Sequence, residues 1–390
     1  MGLTDIVIKG VLSGGYSLRN EYLSEAKRTK NDEFYTRYED IEKEINAYLD
    51  LDPNVFQGKS VLLPCDDPEW SNFTKYFAQN FSRLGLKELV STSYAPSSKL
   101  KPIDQPTLFE TESPEFDLAK THTRGKCFTL TSDTNYDRKI DINDLEWHYL
   151  EGDGDFRSEE IVRLRDRADV IVTNPPFSLF REFLNWIIDG NKQFLVIGSM
   201  NAVTYKEVFP IIRDNRMWLG NGFQAGNAFF AVPKAREYAA GVYDPESGLV
   251  KFRNVAWFTN LDHGRRHQPL SLMTMAENLK FSKHKEIRGL ESYFRFDNYD
   301  AIEVPFTDAI PSDYSGVMGV PISFLDKYNP DQFEILGITQ RNDDPYKTKR
   351  YSTDEFVNAN DLNARGVIFI DGKPKSIYAR ILIRHKRLDS

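Results

Sequence analysis

The stretch 168–177, Ala-Asp-Val-Ile-Val-Thr-Asn-Pro-Pro-Phe, most constrains what this chain can fold into. Its β-branched apolar run reads as a buried strand. The run stops at Asn174-Pro175-Pro176. Proline has no N–H for a ladder, and it holds the preceding residue out of helical space. The strand is therefore expected to end near Thr173, leaving Asn174 extended at its carboxyl edge. In open α/β sheets ligands bind at that edge. After Phe177, the apolar residues of 178–188 recur at helical spacing. The predicted unit is strand, rigid turn, helix.

A second unit of the same kind lies upstream. Val61-Leu62-Leu63 reads as a short buried strand ending at Pro64-Cys65-Asp66-Asp67-Pro68. Ser71 then opens a helix with aromatics at three- and four-residue spacing, and 86–94 reads as the next strand. This βαβ pattern predicts an α/β fold with a mostly parallel, doubly wound sheet. The loop after the first strand has no glycine run. Gly-x-Gly loops suit close approach of the backbone to pyrophosphate. Asp66 or Asp67 would instead favour a cationic ligand, or one of them simply caps the helix. Before this unit, residues 31–37 precede an amphipathic helix that Asp32 or Thr36 could cap.

Further along, residues 96–126 are rich in Pro, Ser and Thr and read as an inserted loop. The segments 128–131 and 145–150 are candidate strands. Gly152-Asp153-Gly154-Asp155-Phe156 then joins a strand to a helix. Asp153 or Asp155 could accept from an adenine amino group while Phe156 covers the ring; a plain Gly-Asp turn is the alternative. After the motif helix, 193–199 reads as another buried strand. Residues 217–220, 228–232 and 255–260 are strand-like without long helices between them. They are expected to form the antiparallel end of the sheet.

Composition narrows the class. The chain has 390 residues, 40% hydrophobic and 28% charged, which suits one large or two modest globular domains. The formal net charge of -8 excludes a uniformly basic nucleic-acid binder but leaves room for a local basic face. That face is expected from Leu261 onward. Arg265, Arg266, Lys283 and Lys285 stand there among aromatics, and basic residues recur near the end of the chain. Such groups neutralise phosphates; a solvated surface is the alternative. The two cysteines, Cys65 and Cys127, have no metal-ligand spacing, so no metal is expected. Residues 1–9 lack the basic and apolar pattern of a signal peptide, and no run approaches a membrane span. A cytoplasmic protein is the expectation.

At the motif itself, the Asn174 side-chain oxygen and the Pro175 carbonyl can both accept from one exocyclic amino group, with Phe177 stacking on its ring. This resembles the Asn/Asp-Pro-Pro-aromatic signature of amino-group methyltransferases that use S-adenosylmethionine. Four elements occur in order: Asn31-Asp32-Glu33-Phe34-Tyr35-Thr36, the Cys65-Asp66-Asp67-Pro68 loop with Ser71-Asn72-Phe73, Gly152-Asp153-Gly154-Asp155-Phe156, and Asn174-Pro175-Pro176-Phe177. Together they resemble the EcoRI-type adenine-specific DNA methyltransferase family. Residues 257–262, 319–322 and 378–383 add to the likeness, which covers the chain from about Lys30.

The resemblance implies a Rossmann-like class I methyltransferase domain over 31–260. A 1–30 extension would precede it, and a smaller carboxy-terminal α/β recognition lobe over 261–390 would follow. It implies S-adenosylmethionine as cofactor, held by Tyr35, Thr36, Asp66, Asp67, Pro68, Asp153, Asp155 and Phe156. It also implies double-stranded DNA with a flipped adenine as partner. Asn174, Pro175, Pro176 and Phe177 would be catalytic, in a monomer whose functional partner would be a cognate restriction endonuclease. The missing Phe-x-Gly-x-Gly loop departs from most DNA methyltransferases, a departure this family shares. Alternative acceptors are cytosine N4, an RNA adenine or a protein glutamine amide. An inactive DNA-binding module is the alternative from another class.

Overall fold

The computed structural model describes residues 35–66, 71–95, 116–223, 227–231, 242–340 and 344–386. The chain forms two compact units that interleave in the sequence. The first runs to Ile45 and resumes over Pro53–Ser199 and Phe223–Ala256; the second takes Asn46–Asp52, Met200–Gly222 and the chain from Trp257 onward.

The first unit holds β1 (Tyr35–Thr36), β2 (Ser60–Leu63), β3 (Glu88–Thr92), β4 (Lys126–Leu130), β5 (Glu146–Tyr149), β6 (Val170–Thr173) and β7 (Gln193–Ser199). Six of these lie side by side in the order β5-β4-β3-β2-β6-β7. β2 runs parallel to β3 and β6, and β6 parallel to β7. β4 runs antiparallel to β3, and β5 antiparallel to β4. Every residue of β2 and β6 is buried, as parallel strands covered on both faces require. Their apolar runs are continuous for that reason rather than alternating.

Helices follow the strands where the spacing predicts them. Ser71 caps the Asn72–Gln79 helix by accepting from the Phe73 amide, and Phe73, Tyr76 and Phe77 are buried beneath it. Ser158 caps Glu159–Arg167 in the same way through the Ile161 amide. The helix after the motif, Phe180–Asp189, buries Phe180, Phe183, Leu184, Trp186 and Ile187. Each such side chain contributes about 1.5–3 kcal/mol on burial. Gly198 in β7 makes room for this helix: a Cβ there would stand 2.3 Å from the Phe180 ring.

One sheet expectation needs correction. Residues Asn227–Ala231 do not continue the large sheet. They lie in a separate four-stranded sheet, between β1 and Leu249–Arg253, with Tyr243–Asp244 at its far edge. Burial alternates along Asn227–Ala231, the pattern of an antiparallel sheet with one solvated face. In the second unit, Phe258 and Thr259 pair antiparallel with Leu219 and Trp218, as expected of strands joined without a helix.

The rest of the second unit is built on a four-stranded mixed sheet in the order Ile302–Glu303, Met318–Pro321, Arg380–His385, Phe333–Ile338. Two stretches that carried the family likeness meet here: Gly319 pairs with Leu382 and Val320 with Ile381. A hairpin, Gly366–Ile370 with Lys373–Ile377, turns on Asp371 and Gly372, both at positive φ (50° and 75°). Asp-Gly is favoured at such two-residue turns. Among the described residues, no helix is long and apolar enough to cross a membrane.

Candidate active site

The parallel register sets the site. Leu62 lies opposite Ile171 and Val90, so β2, β3 and β6 end on one edge of the sheet. The loops 64–66, 93–95 and 174–177 all leave from that edge. Asn174 is half-buried directly after the fully buried Thr173; Pro175 is buried, and Phe177 is half-buried. A single turn, closed by the Leu179 amide on the Pro176 carbonyl at 2.9 Å, leads into the Phe180–Asp189 helix.

The first-strand loop is bound tightly to this turn. The Asp66 carboxylate is buried and accepts from Ser71 Oγ at 2.8 Å and from Thr173 Oγ1 at 2.5 Å. Its backbone carbonyl accepts from Ser91 Oγ, which shares a further 2.9 Å hydrogen bond with Thr74 Oγ1. Thr92 Oγ1 donates to the Pro64 carbonyl at 3.1 Å. The sequence leaves Asp66 or Asp67 either to favour a cationic ligand or to cap the helix. Two acceptor sites of Asp66 serve the protein's own hydroxyls, because a buried carboxylate requires partners.

β1 reaches the same edge by two routes. Asn72 Nδ2 donates to the Thr36 carbonyl at 2.8 Å. Thr36 also pairs with Phe230, whose ring meets that of Phe177 edge-on at 6.5 Å between centroids. Thr36 Oγ1 is buried and makes no hydrogen bond among the described residues, which leaves it able to serve a ligand's polar group. Asp67 and Pro68 lie outside the described residues, as do the Tyr35 side chain, residues 31–34 and the 96–115 part of the inserted loop.

The glycine-aspartate loop is locked beside β3 and β4. The Ala95 amide donates to the Asp153 carbonyl at 2.8 Å, and the Gly125 amide to the Gly152 carbonyl at 2.9 Å. Gly154 has φ 86°, and a Cβ there would stand 2.3 Å from the Ser93 carbonyl oxygen, so only glycine fits. Asp153 Oδ1 accepts from the Asp155 amide at 3.1 Å. Asp155 pairs with Arg157 at 2.6 Å, and Arg157 also reaches Glu182 at 3.1 Å. Phe156, expected to cover a bound ring, is instead buried. It packs edge-on against Phe183 at 5.1 Å and Trp186 at 5.8 Å, with the Arg157 guanidinium 5.4 Å from its centroid. It anchors the loop, because a large apolar ring beside a helix gains more from the core than from an edge.

The four basic candidates lie in the second unit and differ in exposure. Arg266 is a correction. Only 7% of it is exposed, and its guanidinium stacks 3.6 Å over the Trp218 ring and donates to Asn215. A group held there cannot meet a phosphate. Arg265 is half-buried and paired with Asp326 at 2.5 Å. Lys283 is exposed and paired with Asp308 at 2.7 Å. Lys285 is exposed and makes no ion pair among the described residues. Cys65 and Cys127 form no disulfide; burial pushes the Cys127 thiol up to about 12, so it stays protonated.

Ser71, Asn72 and Thr173 are not among the site residues expected from the sequence, yet the fold bonds them to these loops. A Ser-Asn pair opening the helix was a visible signal for the first two. Thr173, a hydroxyl ending an otherwise apolar buried run, was a weaker one. Phe230 had none, because its place depends on pairing with β1.

An Asn-Pro-Pro-Phe turn thus stands at the carboxyl edge of parallel strands, with the Asp66 loop bonded to the strand end before it. Comparison with known proteins supplies the family. The family described as "Adenine-specific methyltransferase EcoRI" matches residues 22–386, and the chain belongs to it. The chain is 38% identical over 372 residues to the type II methyltransferase M.EcoRI of Escherichia coli, covering 95% of this chain and 98% of that protein. It is 33% identical over 376 residues to the type II methyltransferase M.MpnI of Mycoplasma pneumoniae, covering 94% and 98%. A third relative, the type II methyltransferase M.MgeORF184P of Mycoplasma genitalium, is 32% identical over 381 residues. No solved structure gives a significant match to the chain.

Proposed function

We propose that this protein transfers a methyl group from S-adenosylmethionine to the N6 amino group of adenine in double-stranded DNA. Family membership supports the reaction class. The observation that carries the reading to this site is the convergence of β1, the Asp66 loop and the Asn174 turn, joined by the Asn72, Asp66 and Phe230 contacts. The large sheet would then be a Rossmann-like class I fold, with 31–260 as the methyltransferase domain and 261–390 as the recognition lobe.

The adenine amino nitrogen is a poor nucleophile, because its lone pair is delocalised into the ring. Asn174 Oδ1 and the Pro175 carbonyl accept hydrogen bonds from its two N–H groups and favour a pyramidal nitrogen, which loses one proton once the N–CH3 bond has formed and the S–CH3 bond has broken, while Phe177 stacks on the ring. Positioning and electrostatics supply most of the rate. S-adenosylmethionine, when bound, supplies an electrophilic methyl for direct in-line transfer, so no cysteine nucleophile is needed. Tyr35, Thr36, Asp67, Pro68, Asp153 and Asp155 are the residues proposed to hold it. Thr36 fits that role through a buried hydroxyl with capacity to spare. The target base must leave the duplex, at about a few kcal/mol, which stacking on an aromatic partly offsets. Protection of DNA from a cognate endonuclease is the proposed biological role, and a monomer suffices for it.

The test is to incubate the protein with DNA and methyl-labelled S-adenosylmethionine, digest the DNA to nucleosides and separate them. Label in N6-methyladenosine's deoxy form is expected. Label in N4-methylcytosine, or none in DNA but some in RNA when RNA is supplied in its place, would overturn the acceptor.

A further inference from the structure

We infer that the Asp66 carboxylate is a positioning group that couples the first-strand loop to the catalytic turn through Thr173. The inference rests on the reading of Asn174 as the residue that holds the target amino group. Thr173 is fully buried at the end of a Val-Ile-Val-Thr strand, a place where valine would satisfy packing equally well. Its hydroxyl has a specific use: it donates to Asp66 Oδ2 at 2.5 Å. The other carboxylate oxygen accepts from Ser71 Oγ at 2.8 Å, and Ser71 also caps the Asn72–Gln79 helix. The first residue of that helix, Asn72, holds the Thr36 carbonyl at 2.8 Å.

A continuous path of hydrogen bonds and adjacent residues therefore runs from Thr36 through Asn72, Ser71, Asp66 and Thr173 to Asn174. Asp66, Ser71 and Thr173 are all buried. A buried carboxylate tolerates few arrangements, because each lost partner leaves charge without compensation. The network thus holds the loop and the turn in one mutual geometry. Asp66 acts on Asn174 by fixing the strand end beside it, not by touching the substrate. This differs from a carboxylate that binds the cofactor directly.

Two readouts separate the possibilities: methyl transfer at saturating cofactor and DNA, and amide hydrogen exchange at Asn174 and Phe177 in the protein alone. Thr173→Val, which keeps shape and removes the hydroxyl, should lower kcat by roughly 10–100-fold, the range for a misplaced catalytic group. Cofactor Kd should stay within about threefold, since a ligand contact is not removed. Exchange at the turn should quicken. Thr173→Ser should restore kcat and protection. Asp66→Asn can still accept from Ser71 and donate to the Thr173 oxygen, so it should fall less than Asp66→Ala. The double variant Asp66→Ala with Thr173→Val should be no slower than Asp66→Ala alone, as members of one unit are not additive.

Unchanged exchange at the turn in Thr173→Val, with kcat also unchanged, overturns the inference. So does an Asp66→Ala protein that loses cofactor affinity while keeping kcat at saturation. If the unaltered protein proves not to methylate adenine, the proposed acceptor fails. The exchange measurement still decides the link between Asp66 and the turn, and the Ser and Asn replacements keep it readable if the Ala variant does not fold.

Discussion

The edge of the parallel sheet and the basic zone of the second unit were equally prominent in the sequence, and the fold treats them differently. At the edge, residues scattered over 35–177 are drawn into one connected set. In the basic zone, several of the cations are buried or matched. Arg266 lies on Trp218, Arg265 on Asp326, Lys283 on Asp308, Arg295 on Asp300, Arg380 on Glu303 and Arg384 on Glu334. The difference teaches that a polar motif with rigid prolines reports its own location, whereas a run of cations does not. Proline fixes the backbone locally. A long cationic side chain takes its role from whatever the fold places within reach.

The largest expected effect is at the edge. Asn174→Ala should remove methyl transfer by about 100–1,000-fold or more, the loss typical when a preorganised polar contact to the reacting group is deleted. Cofactor affinity should stay within about tenfold, because Asn174 is assigned to the base. Comparable turnover in the variant would dissolve the special standing of the edge.

Arg266→Ala sharpens the comparison from the other side. It should destabilise the protein by on the order of 2 kcal/mol, through loss of a desolvated cation–π stack and its packing. The salt dependence of DNA binding should not change. Should the slope flatten while thermal stability holds, Arg266 reaches DNA after all and the contrast fails.

Gly198→Ala should also cost stability, by about 1–3 kcal/mol, because the new methyl meets the Phe180 ring. Thermal melting reads it directly. A neutral result would mean that the helix behind the motif moves aside freely and does not brace it.

A smaller effect is expected at Lys285. Lys285→Ala should reduce the slope of log affinity against log salt by about one unit if it meets a phosphate. Lys283→Ala should give the same or less, since Asp308 competes for that ammonium. Affinity measured across a salt series distinguishes a contact from a solvated surface.

The smallest prediction concerns pH. Burial lowers the pKa of His263, which also meets the Leu219 carbonyl through Nε2. The folded protein thus prefers the neutral imidazole. Its stability contribution is present above the unfolded value of about 6.5 and is lost as pH falls below it through the folded pKa. His267 works in the opposite sense. Its bond to Asp262 raises its pKa, so that contribution is present below the unfolded value and lost as pH rises through the folded one. Melting temperature against pH for His263→Gln should be flatter on the acid side than for the unaltered protein. An identical acid limb would assign the loss to other groups.

The sequence alone determined the strand-turn-helix units, because their signals are local. Val170–Thr173 is apolar and β-branched, Asn174-Pro175-Pro176 stops it, and Ser71 and Ser158 cap the helices that follow other strands. It also determined that these strand ends lie together, since parallel strands joined by helices must share a carboxyl edge. Only the tertiary structure decided what each side chain does there. Asp66 and Phe156 looked available in a linear reading, yet one is held by Ser71 and Thr173 and the other by Phe183 and Trp186. Asn227–Ala231 joined β1 rather than the large sheet, and so brought Phe230 to Phe177. Long-range partners of this kind leave no local trace. A buried carboxylate, a large ring and a strand edge are each satisfied by groups that the residues around them do not specify, and only the folded chain chooses them.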